Sequence, residues 1–348
     1  MKHLLDYSPE ALRSWLNEHG ERDYRARQIA HWVFARRAGS FEEMTDLPGA
    51  LRAKLTAEFR LFSGSIVARR CADDGTEKLL LEWADGHRIE CVLLRMGVRR
   101  TVCISTQVGC AMGCVFCASG LAGVTRNLTS GEILEQMLQL ARLLPAEERL
   151  SHVVVMGMGE PLANLPGLLP ALAVASHPQG LGISARRITI STVGLPAALA
   201  RLAQQRVPYH LAVSLHAPDD ALRNRLVPTN SNTGIDAIIE AADAYFASTG
   251  RRLTFEYVLL GGVNDRPDQA RRLAELLADR GAMLNLIPYN EVSGLEYRRP
   301  SNEAIERFVA ELGRRGINVN LRRRRGHEID AACGQLRRTF ERPVGISE

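Results

Sequence analysis

Three cysteines, Cys110, Cys114 and Cys117, fall within GCAMGCVFCASG over residues 109–120. Thiols packed this closely in a chain kept reduced bind metal. Their C-x3-C-x2-C spacing is one ligand short of a closed site. Structural zinc asks for four ligands, commonly in two separated pairs. This loop has neither a second pair nor a histidine. Three thiolates on a four-iron cluster leave one iron open. An open iron can bind a substrate and pass it an electron.

Such a loop needs elements to aim it. From about residue 101, apolar β-branched runs alternate with helical stretches. TVCISTQVG, SHVVVMGMG, RRITISTVG, YHLAVSLHA, RLTFEYVLLGG and AMLNLIPYN predict six strands, and GINVNLRRRRG a seventh. TSGEILEQMLQLARLL, LPAALARLAQQ, DAIIEAADAYFAST and PDQARRLAELLADRG predict helices between them, the first opened by a Thr129–Glu132 capping box. Strands alternating with helices build parallel βαβ units. Six units are too few for an eight-stranded barrel, so a partial (β/α)6 barrel is expected over residues 101–325. In such α/β folds the ligand lies beyond the carboxyl ends of the strands. GMGEP, STVG, SLHAP and IPYN all stand at such ends, and the cysteine triplet follows the first strand. One pocket should collect them.

Upstream, Ser8-Pro9 opens a helix with proline at its first position. YRARQIAHWVFARR and GALRAKLTAEF predict two more, making residues 1–60 a helical accessory domain. Over residues 61–100, KLLLEWADGHRIECVLLR predicts a β-hairpin turning at Asp85-Gly86. Residues 326–348 form a C-terminal segment. At 348 residues the chain can bury a large core. Its 46% apolar and 24% charged residues are those of a globular protein, not of a disordered or fibrous one. The net charge of +5 is too small to announce a nucleic-acid partner. Its clusters, Arg22, Arg25, Arg27, Arg36 and Arg37 and then Arg322–Arg325, are the kind that ordinarily form solvated faces. No apolar leader and no run near roughly 18 apolar residues is present, which predicts a cytoplasmic protein without a membrane span. A structural disulfide framework is not expected there.

C-x3-C-x2-C after the first strand of a partial barrel resembles the radical S-adenosylmethionine (SAM) superfamily. Phe116 stands where that superfamily often has an aromatic. The resemblance implies one [4Fe–4S] cluster on Cys110, Cys114 and Cys117. SAM on the open iron would be the missing ligand and the source of a 5′-deoxyadenosyl radical. A narrower likeness is carried by TVCISTQVGCAMGCVFCASG, TRNLTSGEI, VVMGMGEPLAN, ITISTVG, LAVSLHAPDDALRNRLVP, LIPYN and EIDAACGQL. Together they resemble the RlmN/Cfr family of RNA adenine methyltransferases over most of the chain, and the overall likeness is to the RlmN type.

That resemblance implies a site. Gly159 and Glu160 match the pair that holds the SAM amino group, where a carboxylate suits an ammonium. Ser191, Ser214, Leu215, His216 and Asn290 match the other SAM contacts. Taken singly, Ser191 and Asn290 read as turn residues and His216 as a helix-start histidine. Cys103 and Cys333, taken singly, read as small buried apolar residues. In the family the Cys333 position is methylated by one SAM. The radical from a second SAM removes hydrogen from that S-methyl group, and the methylene radical adds to an adenine carbon too poor a nucleophile for direct transfer. Glu90 matches the base that takes the ring proton, with Glu82 and Asp85 nearby. Cys103 matches the thiol that then attacks Cys333, freeing product and leaving a transient disulfide.

The implied reaction is methylation at carbon 2 of an adenosine in 23S rRNA, and of one in tRNA beside the anticodon. A monomer fed electrons by a flavodoxin-type protein is expected. The target base must leave its stack. Beside Cys333, Arg322–Arg325 gain weight as phosphate contacts, with the basic N-terminal helices. Within the family the alternative is the Cfr-type reaction at carbon 8, which uses the same residues and confers antibiotic resistance. Outside it, the rival is a non-catalytic RNA-binding protein with a structural zinc. Cys71 and Cys91 have no assigned role.

Overall fold

Thr129 starts the helix that its capping box predicts: its hydroxyl accepts from the Glu132 N–H at 3.1 Å, and Glu132 Oε2 accepts from the Thr129 N–H at 2.9 Å. Local signals of this kind account for most of the architecture. The computed structural model describes residues 1–337 except Pro208, Arg252 and Arg323.

Two short strands, β1 (Lys2–His3) and β2 (Phe59–Arg60), pair in parallel. The main sheet begins with β3 (Gly64–Cys71), β4 (Glu77–Trp83) and β5 (Arg88–Met96), an antiparallel meander that continues into β6 (Arg99–Cys103). A separate ribbon pairs β7 (Gln107–Gly109) with β8 (Val124–Asn127). The parallel part runs from β6 through β9 (His152–Val155), β10 (Ile188–Thr192), β11 (His210–Ser214), β12 (Leu253–Leu259) and β13 (Met283–Pro288) to β14 (Val319–Leu321). The six parallel strands of a partial barrel are present, and the seventh candidate extends it.

Two sequence expectations change. TVCISTQVG is not one strand. It breaks after Cys103, where Thr106 N–H turns to the Met158 carbonyl at 2.8 Å and the chain leaves the sheet to aim the cysteine loop. The hairpin of residues 61–100 gains a third strand, β3, whose mostly exposed residues carry little apolar signal. Because β5 pairs with β6, this meander is continuous with the barrel sheet.

The helices are α1 (Pro9–Glu18), α2 (Tyr24–Ala30), α3 (Gly49–Glu58), α4 (Ser130–Ala141), α5 (Leu165–Ser176), α6 (Pro196–Gln204), α7 (Asp220–Leu226), α8 (Ile235–Thr249), α9 (Pro267–Leu276) and α10 (Asn302–Arg314). Ser8 caps α1 by accepting from the Ala11 N–H at 3.1 Å. The second expected helix is helical to Ala35, passing from α2 into a π turn over His31–Ala35, and stops before Arg37, whose φ is +56°. One apolar core joins the N-terminal helices (Trp15, Leu16, Leu55), the meander (Leu79, Leu81) and the barrel strands (Ile190, Phe255). Each such side chain contributes about 1.5–3 kcal/mol by leaving water. A smaller cluster of Phe116, Leu226, Val227 and Tyr289 sits under the cysteine loop. No helix among the described residues is long and apolar enough to cross a membrane.

Candidate active site

The loop after β7 is stitched to three parts of the fold. Cys110 N–H donates to Gly123 O (3.0 Å), Val115 N–H to Leu226 O (3.1 Å) and Ala118 N–H to Gly334 O (2.8 Å). Cys110, Cys114 and Cys117 all line one pocket at the carboxyl ends of the barrel strands. Burial pushes the Cys110 thiol up to about 12 and raises Cys114 and Cys117 as well. Such thiols become ligands only when a metal centre draws off their protons. An all-thiol donor set suits iron–sulfur chemistry. Among the described residues no three His, Cys, Asp or Glu side chains converge on one ion. A four-iron cluster instead takes its thiolates on separate irons.

The GMGEP turn follows β9 and packs against the start of the cysteine loop. Gly159 has φ +103°, and a Cβ there would lie 2.7 Å from Gln107 Cβ and Thr106 Oγ1. Only glycine fits a left-handed conformation with so close a neighbour. Gln107 Oε1 accepts from the Glu160 N–H at 2.8 Å. Glu160, 2% exposed, accepts from Leu162 N–H (3.0 Å), Thr192 Oγ1–H (2.6 Å) and Val193 N–H (2.9 Å). Burial pushes this carboxyl upward, against those donors. A carboxylate has about four acceptor positions, so one remains for an ammonium.

Ser191, Ser214, His216 and Asn290 join Gly159 and Glu160 on the pocket wall. Leu215 does not. Its side chain is in the core, its N–H donates to Glu256 O at 2.9 Å and its carbonyl accepts from Arg223. His216 has φ +63°, and its Nδ1 accepts from the Val258 N–H at 3.0 Å, which leaves the ring proton on Nε2. Burial, then the Arg223 charge, lowers it to about 3, so it stays neutral. Asn290 Nδ2 donates to the Cys333 carbonyl at 3.3 Å, while its buried Oδ1 has no hydrogen-bond partner. An acceptor left open on the pocket wall fits a cofactor carrying N–H or O–H donors.

Three residues that the sequence did not single out belong to this neighbourhood. Arg223 on α7, 1% exposed, donates to Leu215 O (3.0 Å), Val193 O (2.7 Å), Ser214 O (2.9 Å) and Asn230 Oδ1. It ties the ends of β10 and β11 together and places a buried positive charge behind Cys114. Glu256 shares a register row with Ser214 and Asn285, and its Oε1 accepts from Asn285 Nδ2 at 2.8 Å. Lys78, 3% exposed, reaches from β4 to Glu90. Arg223 lies in LAVSLHAPDDALRNRLVP, so position could have flagged it, whereas Glu256 is in the middle of β12. Nothing local flags Lys78.

The C-terminal segment closes over the pocket. Ser119 Oγ donates to Leu336 O (2.8 Å) and Gln335 Nε2 to Glu291 O (2.8 Å). Cys333 opens onto the pocket beside Gly334. Cys103, at the end of β6, is pushed up to about 12, first by burial and then by the nearby Cys333 thiol. Both are free thiols. Glu90, on β5 and 1% exposed, stands behind the wall: Oε2 accepts from the Arg337 N–H at 2.8 Å and Oε1 lies 2.8 Å from Lys78 Nζ. Glu82 and Asp85 are paired with Arg88 and Arg126 instead. Of the basic clusters, Arg37 donates to Ala141 O (3.0 Å) and Leu144 O (3.1 Å), a docking role, whereas Arg22, Arg27, Arg36, Arg322 and Arg324 are exposed. Arg323 lies outside the described residues, as do residues 338–348 of the C-terminal segment.

A partial barrel with a three-cysteine loop over its first strand, ringed by polar strand ends, defines a radical SAM protein. Residues 104–276 match the model of the radical SAM superfamily, and residues 2–61 match the ribosomal RNA large subunit methyltransferase N-terminal domain. The chain belongs to the RlmN family of radical SAM RNA methyltransferases. It is 62% identical to the probable dual-specificity RNA methyltransferase RlmN of Rhodopirellula baltica, over 97% of this chain and 91% of that protein. It is 43% identical to the protein of that name from Bacillus subtilis, over 96% of this chain and 92% of that one. The crystal structure of a radical SAM methyltransferase from Sphaerobacter thermophilus matches with a TM-score of 0.94 at 44% identity, covering 97% of this chain and 100% of that one. The cofactors of this family are a [4Fe–4S] cluster and SAM.

Proposed function

We propose that the protein methylates carbon 2 of an adenosine in 23S rRNA, and of the tRNA adenosine beside the anticodon, by way of a methylated Cys333. The opening of Cys333 onto the three-cysteine pocket, with Cys103 near it behind the wall and Glu90 bonded to the segment that bears it, carries this reading. The dual specificity in the names of the relatives supports both RNA substrates, and their RlmN naming favours carbon 2 over the Cfr-type carbon 8. Cys110, Cys114 and Cys117 would hold the cluster; Gly159, Glu160, Ser191, Ser214, His216 and Asn290 would hold SAM. When bound, these groups supply the methyl, the electron and the hydrogen-abstracting radical. Leu215 acts by fixing the backbone between Ser214 and His216.

The chain's own residues then divide the work. Cys333 carries the methyl carbon to adenine and is released by Cys103, whose attack forms a transient Cys103–Cys333 disulfide. Glu90 takes the ring proton; burial pushes its carboxyl upward, which strengthens it as a base. The N-terminal helices and the exposed arginines Arg322 and Arg324 bind RNA phosphates. The protein works as a monomer in the cytoplasm with a flavodoxin-type electron donor. Mass spectrometry of nucleosides from rRNA and tRNA treated with the reconstituted protein tests the reading. 2-Methyladenosine in both is expected; 8-methyladenosine, or no methylation by a cluster-loaded protein, overturns it.

A further inference from the structure

A lysine whose amino group is buried in a sheet is costly unless something holds its charge. Lys78 is such a residue. It lies on β4, 3% exposed, and its Nζ is 2.8 Å from Glu90 Oε1 and 3.0 Å from the carbonyl oxygen of Asp330. The β4–β5 register sets Leu80 opposite Glu90 and Lys78 opposite Val92, so the lysine reaches along the strand to meet the carboxylate. One ammonium thus touches both the carboxylate read above as the base and the segment that carries Cys333, three residues after Asp330. The other oxygen of Glu90 accepts from the Arg337 N–H in the same segment.

We infer that Lys78 is the positioning residue of Glu90: its ammonium keeps the buried side chain a carboxylate and aligns it with the segment bearing Cys333. This rests on the reading of Glu90 as proton acceptor. The groups facing Glu90 are Lys78 from β4, the like charge of Asp330 and the Arg337 N–H of the C-terminal segment, while the adjoining Cys91 thiol lies on the other face of β5. Met158 Sδ meets its backbone N–H at 3.4 Å. Of these, burial and Asp330 favour the neutral acid, while Lys78 and the Arg337 N–H favour the anion. Lys78 is the one cation in that set. Without it the carboxylate would gain its proton at a higher pH, and proton removal from the substrate would fail over a range where the native enzyme works. The bond to Asp330 O adds a second effect, since the same ammonium sets how far the Cys333 segment stands from the base.

The test follows product against the covalent protein–RNA adduct across pH in reconstituted full-length enzyme. In the native protein product falls, and adduct persists, as pH drops through the Glu90 titration. Lys78→Met should move that midpoint upward by about 1–3 pH units, the effect of losing an opposite charge in contact. At a fixed pH below the native midpoint, product then falls at least about tenfold, one pH unit corresponding to a factor of ten. Lys78→Arg should return the midpoint toward the native value. Lys78→Gln keeps an N–H for Asp330 without the charge, and should shift the midpoint if Lys78→Met does not fold. 5′-Deoxyadenosine formation, which precedes the proton step, reports that the pocket is intact. A native midpoint in folded Lys78→Met or Lys78→Gln overturns the inference, as does a uniform loss that Lys78→Arg does not repair. Glu90→Gln separates the two readings: full product formation by that variant removes Glu90 as the base, whatever Lys78 does.

Discussion

At the scale of the residue, the thiols carry the sharpest expectation. Cys103 stands close enough to Cys333 for the two to interact electrostatically, and it is not on the pocket wall. Removing it takes away the thiol that would free the product, not the chemistry that joins Cys333 to RNA. Cys103→Ala should therefore accumulate a covalent protein–RNA species through Cys333, visible as a slow band in denaturing gels; Cys103→Ala combined with Cys333→Ala should give none. No adduct from the single variant under turnover would count against the assigned roles. The three-cysteine loop stood out by its spacing, whereas Cys103, Cys333 and Glu90 were expected only from the family resemblance. A motif gives positions and not directions: Ser214 and His216 line the pocket while the Leu215 side chain faces the core. Arg223 was missed because an arginine in a short helix reads as solvated, and only the fold shows it turned inward onto three carbonyls.

At the scale of the element, the turns after the strands matter more than the strands. Gly159 is held at φ +103° against Gln107 of β7, the strand that leads into the cysteine loop, and Thr106 just before it. Gly159→Ala combines backbone strain of about 1–3 kcal/mol with that collision. It should lower stability by about 2 kcal/mol and weaken SAM binding at least about tenfold, 1.4 kcal/mol being a factor of ten. Urea unfolding and equilibrium SAM binding read these two effects. By contrast Thr129→Ala, which removes the cap of α4, should cost about 1 kcal/mol with SAM binding unchanged. Alternating strands and helices were readable because apolar periodicity survives in buried elements. β3 was not, since its side chains are largely exposed and its place is set by pairing with β4.

At the scale of the molecule, the N-terminal unit is fastened to the barrel by buried polar contacts as well as by shared core. Glu135 of α4, fully buried, accepts from Ser63 N–H (2.8 Å), Ser63 Oγ–H (2.9 Å) and Gly64 N–H (2.9 Å), with His3 Nε2 at 3.2 Å. Asp6 Oδ1 accepts from Gly131 N–H at 2.6 Å, near the start of the same helix. Glu135→Ala leaves several buried donors unpaired, at about 1–3 kcal/mol for each. It should lower the urea midpoint and make residues near 60–64 the first site of limited proteolysis, while the cluster-binding loop keeps its iron. The division into helical, hairpin and barrel segments was visible as a change of sequence rhythm. That they share one core was not, because contacts between distant segments leave no local periodicity.

The order of the main sheet also bears on how the molecule is made. From β3 to β14 each strand lies beside the strand of that sheet made just before it. Pairing of this kind closes short loops and can proceed as the chain is synthesised, N-terminal part first. The three-cysteine loop is complete more than 200 residues before Cys333 is made. Gly334 and Leu336, which latch onto Ala118 and Ser119, arrive later still. A nascent chain therefore presents its cysteines through an unlatched mouth, and maturation with iron and sulfide has its widest opening before the last segment docks.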